Sequence, residues 1–87
     1  MDRNNALTLP LLEYLSYRAG CAYLSDLRYI SDWQRVQLAR VLEKIPAEAA
    51  DLRTWNDALE YLAREPSEPT AEEARARLIT TLSKTTL

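Results

Sequence analysis

The sequence contains no histidine and no phenylalanine, and only one glycine and one cysteine among its 87 residues. Each shortage excludes something. Without histidine the chain lacks the commonest general base at neutral pH and the commonest metal ligand, and neither a Ser-His nor a Cys-His nucleophile pair can be built. One thiol, Cys21, closes no disulfide within the chain and cannot make a thiolate zinc site, which points to a reducing compartment. A single glycine, Gly20, rules out the glycine-rich loops that cradle phosphates. The Asn-Gly and Asp-Gly pairs that close tight β-hairpins are also missing. No apolar run approaches the ~18 residues of a membrane span, and the polar start, Met1–Ala6, carries no signal-peptide pattern. The expected location is therefore cytoplasmic, with no membrane partner.

An excess of one charge is missing too. Eleven basic residues face 13 acidic ones, for a net charge of −2. Up to Ile45 there are six basic residues against five acidic; beyond it, five against eight. Domains that bind nucleic acid by charge usually show a clear basic surplus, and this chain does not.

What is present favours helix. Leu, Ala, Arg and Glu dominate, all good helix formers. A hydrophobic content of 47% with 28% charged residues is ordinary for a globular protein. The length fits one domain over residues 1–87. The expected fold is all-α: a compact bundle of four main helices plus one short helix, at approximately 9–19, 22–29, 32–44, 47–64 and 71–83. Residues 1–6 and 84–87 are expected to fray, and 65–70 to form a proline-containing linker.

The local signals behind these ranges are specific. Pro10 suits the first turn of a helix. Leu11, Leu12, Leu15 and Ala19 give that helix one apolar face, and Gly20 suits its end, where a left-handed residue is favoured. Leu24, Leu27 and Ile30 are the inward candidates of the short helix. Ser31-Asp32-Trp33-Gln34 matches a capping box that starts the third helix. That helix has Leu38, Val41, Leu42 and Ile45 on one side, and Trp33, Val36 and Ala39 toward the other. An apolar surface so wide predicts a central helix covered on both sides. Leu52, Trp55, Leu59 and Leu62 recur at 3-4-3 spacing and favour one continuous helix from Ala47 to Arg64. The competing reading is a separate helix capped by Thr54. Thr70-x-x-Glu73 caps the last helix, which turns Ala71, Ala74, Leu78 and Leu82 inward.

No catalytic, cofactor-binding or metal-binding set emerges, and the expected cofactor is none. Glu65, Glu68, Glu72 and Glu73 cluster within nine residues, but helix starts and linkers favour solvated carboxylates for plain structural reasons. Cys21 reads best as a small apolar residue. Two groups are candidates for partner binding. Tyr14, Tyr17 and Arg18 lie off the apolar face of the first helix, and such side chains are enriched in binding hot spots; a covering helix would make them boundary residues instead. Trp33, Gln37, Arg40 and Lys44 follow i, i+4, i+7, i+11 spacing and form one stripe. The stripe could meet phosphates and a base edge, or Trp33 could pack on the preceding segment with the cations as its wet border.

Together these features describe a non-enzymatic protein-interaction module, a small regulator or inhibitor. Its partner would be another protein or a second copy of the chain. The alternative is a nucleic-acid-binding regulator that uses the stripe.

Overall fold

A computed structural model describes residues 10–84; the expected frayed start at 1–6, residue 9 of the first helix and the tail from 85 onward lie outside the described residues. Four main helices and a short one are present, as the sequence predicts, and the described residues contain no strand. The main helices are α1 (Leu11–Arg18), α2 (Asp32–Glu43), α3 (Leu52–Ala58, continued by a π-helical turn Leu59–Ala63) and α4 (Ala71–Ser83). Leu24–Tyr29 forms a 3-10 segment, and Ala47–Ala49 a single 3-10 turn.

The caps behave as the sequence suggests. Gly20, at φ 78°, ends α1; the amide of Cys21 reaches back to Ser16 O at 2.9 Å and that of Gly20 to Tyr17 O at 3.1 Å, the paired bonds of a Schellman ending. Ser31 Oγ accepts from the Gln34 amide at 3.2 Å, while Gln34 Oε1 accepts from the Ser31 amide at 2.9 Å. Thr70 Oγ1 accepts from the Glu73 amide at 3.1 Å.

Three expectations about packing change. First, the stretch 47–64 is not one continuous helix. Ala50 is extended (φ −144°, ψ 157°), and Asp51 rather than Thr54 caps α3, its Oδ1 accepting the Thr54 amide at 2.8 Å. The break has a physical reason: the Trp55 indole N–H takes the Ala47 carbonyl at 2.8 Å. That bond lets the largest core side chain be fully buried with its donor satisfied. Second, the central helix is α4, which touches α2, α3 and the 47–49 turn. Helix α2 is not covered on both sides. Leu38, Ala39, Leu42 and Ile45 are buried, Val36 and Val41 half-buried, and Trp33 stands open at 70%. Third, Leu24 and Leu52 are exposed, leaving Leu27 as the buried anchor of the short segment.

The core gathers Leu11, Leu15, Leu27, Leu38, Leu42, Trp55, Leu59, Leu62, Leu78 and Leu82 with the small residues Ala39, Ala58 and Ala74. No polar or charged side chain among the described residues is buried in it. Polar side chains work at the rim, where they finish helix ends. The last four carbonyls of any helix lack intrahelical partners. Gln34 Nε2 donates to Ala19 O at the end of α1 at 3.0 Å. Arg35 Nη1 donates to Leu62 O at the end of α3 at 3.4 Å. Arg75, from α4, serves the end of α2: its Nε donates to Ile45 O at 2.7 Å, and its Nη2 to Glu43 O at 3.1 Å and to Leu42 O at 3.4 Å.

The linker is fixed in the same manner. The Asn56 amide donates to Glu68 O at 3.0 Å and accepts the Glu68 N–H at 2.8 Å. Arg77 pairs with the carboxylates of Glu68 and Glu65.

Candidate functional site

Helices α1 and α2 meet along a surface that the sequence does not announce. Tyr14 is half-buried at the edge of α1, and its hydroxyl accepts from Arg18 Nη1 at 2.7 Å. The Arg18 guanidinium carbon also lies 5.7 Å from the Tyr14 ring centroid, near the outer limit of a cation–π contact. One turn apart on the same helix, the two side chains hold each other, and the Tyr14 hydroxyl keeps its own proton free to donate.

On α2, Gln37, Arg40 and Lys44 are exposed. At 100° per residue they and Trp33 fall within about 60° of arc, on the side opposite Leu38, Ala39 and Leu42. The stripe is thus the outward face of the helix, and the reading in which Trp33 packs on the preceding segment does not hold. Between the helices lies an open groove of about 330 Å³, lined by Tyr14, Arg18, Gln37, Arg40, Val41, Lys44 and Ile45. Five of the seven sequence candidates therefore share one surface. Tyr17 (72% exposed) and Trp33 stand on the same two helices but do not line the groove.

The groove has an apolar floor and a polar rim. Ile45 is buried and Val41 half-buried. Three cations and two neutral polar groups surround them, and no carboxylate of the described residues is in the lining. Among the described residues, Arg18, Arg40 and Lys44 take part in no ion pair. Such an arrangement can bind an anionic or amphipathic segment. Its lining residues include no nucleophile with an adjacent base.

Other candidates resolve as structure. Glu65 and Glu68 are held by Arg77, and Glu73 accepts a hydrogen bond from the Thr70 hydroxyl at 3.1 Å, so these three carboxylates complete the linker and the cap of α4. The Cys21 thiol is half-buried; burial pushes its pKa up, and the nearby Asp26 carboxylate adds to the effect. A thiol shifted that way is a poor nucleophile at neutral pH. The described residues contain no group of three or more His, Cys, Asp and Glu side chains that could hold a metal ion, and no helix long and apolar enough to cross a membrane. Sequence reasoning missed the exposed Tyr23 and Tyr29. It also missed the stacking of Arg28 on Tyr61, 4.4 Å from guanidinium carbon to ring centroid. Those contacts join distant segments and have no local signal.

Comparison with protein-family models, with curated protein sequences and with solved structures finds no match to this chain.

Proposed function

We propose that the chain is a non-enzymatic protein-interaction module that engages a partner through the outer face of α1 and α2. The observation that supports this is the gathering of Tyr14, Arg18, Gln37, Arg40 and Lys44 from two helices around one groove. An apolar floor with a polar rim is the layout of a small interface patch. Tyr17 and Trp33 add large amphipathic rings left open on the same helices, and such rings anchor interfaces because they bury much area while keeping a polar handle. A regulator or inhibitor that works by occupying a partner's surface needs nothing more.

The test is affinity enrichment from a host lysate, comparing the wild type with Trp33→Ala, Arg40→Ala and the remote exposed control Glu48→Ala. All three sites are solvent-exposed, so each variant should keep its stability within about 0.5 kcal/mol. A protein held by the wild type and Glu48→Ala, and released by both face variants, supports the assignment. Identical enrichment by all four removes this face from recognition.

A second reading rests on the outward orientation of the whole Trp33/Gln37/Arg40/Lys44 stripe. Arg40 and Lys44 would meet phosphates, and Gln37 a base edge. Its signature is affinity for nucleic acid that falls steeply with salt.

A further inference from the structure

Resting on that reading of the α1–α2 face, we infer that the segment it takes is an acidic stretch of a protein partner, its carboxylates seated among Arg18, Arg40 and Lys44. The argument is charge complementarity. Attraction between a cation and the nearest helix C-terminus accounts for a basic residue near each helix end. It does not account for cations of two different helices lining one groove without a carboxylate among the described residues. Like charges so gathered repel in the free protein, and an acidic ligand relieves that repulsion as it binds.

The donors fit the same class. Arg18 is already oriented by the Tyr14 hydroxyl, so its remaining guanidinium N–H groups are presented to a ligand with less ordering cost. Lysine, arginine and the amide N–H groups of Gln37 all donate, which matches carboxylates as acceptors. Two observations favour a protein segment over nucleic acid. The chain is net negative although this groove contributes three positive charges, so the rest of the molecule repels a long polyanion. And the cations are confined to one short groove, whereas nucleic-acid binders spread theirs along a face.

The experiment uses a short fluorescein-labelled peptide rich in Glu and Asp, followed by anisotropy at low salt and at ~0.15 M. Labelled duplex and single-stranded DNA run in parallel. Arg18→Gln, Arg40→Gln, Lys44→Gln and the triple variant are compared with the remote control Arg53→Gln. Each single change should weaken peptide binding about three- to tenfold, and the triple variant should abolish it. Arg53→Gln should match the wild type. Thermal midpoints of the groove variants should stay close to that of the wild type, because the relieved like-charge repulsion offsets the lost helix-end attraction and, for Arg18, the lost Tyr14 contact; a loss of binding is then not a loss of fold.

Absence of peptide binding at low salt overturns the inference. So does equal binding by the triple variant, or groove-dependent binding of DNA that exceeds that of the peptide. If the peptide fails while Trp33-dependent enrichment of a partner persists, the acidic ligand alone is wrong. If both fail, the interaction face itself is wrong.

Discussion

Arg75 makes the sharpest test of how this fold is held. Its guanidinium leaves α4 and meets three carbonyls at the end of α2: Ile45 at 2.7 Å, Glu43 at 3.1 Å and Leu42 at 3.4 Å. Leu42 O also accepts the Ile45 amide at 3.0 Å, so it loses least if Arg75 is removed. The carbonyls of Ile45 and Glu43 lose most. A hydrogen bond to a charged group contributes about 1.5–3 kcal/mol net, but Arg75 is half-exposed and water can replace part of it. The effective loss is then about 2–3 kcal/mol for Arg75→Met, which keeps the apolar stem and removes the donors. Arg75→Lys keeps a positive charge at the helix end but cannot fork between two carbonyls, so its cost should be about 1–2 kcal/mol. Urea unfolding followed by circular dichroism measures both, and the slope of free energy against urea should not change. A chain of this length has about 5–13 kcal/mol of stability, so the Met variant should move the midpoint clearly. If both variants unfold within about 0.5 kcal/mol of the wild type, water serves these carbonyls as well as the guanidinium does, and the reasoning is wrong.

Four further outcomes follow from the same structure. Trp55→Ala should cost about 3–5 kcal/mol by emptying a fully buried site; Trp55→Phe should cost less but still expose the loss of the Ala47 bond, both read by urea unfolding. Gly20→Ala should cost about 1 kcal/mol, because nothing crowds the added methyl but φ is positive. Arg64, at φ 57°, should respond in the opposite direction, Arg64→Gly gaining about 0.5 kcal/mol in the same assay. The Thr54 hydrogen bonds hold the Asp51 carboxyl below its usual range. Its stabilisation is present above the unfolded-state carboxylate pKa, near 3.9, and is lost as pH falls through the lower folded value. The difference in thermal midpoint between the wild type and Asp51→Asn should therefore shrink on acidification; a pH-independent difference contradicts this.

Much of the fold was legible because its signals are local. Gly20, Ser31-x-x-Gln34 and Thr70-x-x-Glu73 each act within a few residues of themselves, and each marks a boundary found in the structure. The leucine spacing gave the inward faces of α1 and α4. The start of α3 is hidden in the sequence because the Ala47–Ala50 stretch has good helix propensity, and its interruption depends on Trp55 reaching back eight residues. Asp51, three residues before Thr54 and directly before the apolar Leu52, was the signal available for it. Trp33 looked like a core residue by type, yet only the placement of α4 decides which side of α2 is covered. The groove is half legible: residue type and spacing single out both candidate groups, but their convergence depends on how α1 packs against α2, and no spacing within either helix encodes that.

The polar side chains that finish the helix ends carry a wider consequence. Gln34 belongs to α2 but serves α1, Arg75 belongs to α4 but serves α2, and Arg35 belongs to α2 but serves α3. Terminal turns ordinarily unwind alone, at little cost, and act as the first places where a small domain loosens. Here the last turns of α1, α2 and α3 each share bonds with a neighbour, so unravelling one of these ends means breaking a contact between two helices. A protein with so small an interior should gain cooperativity in this way, the ends of α1, α2 and α3 opening together with the contacts between helices instead of one by one.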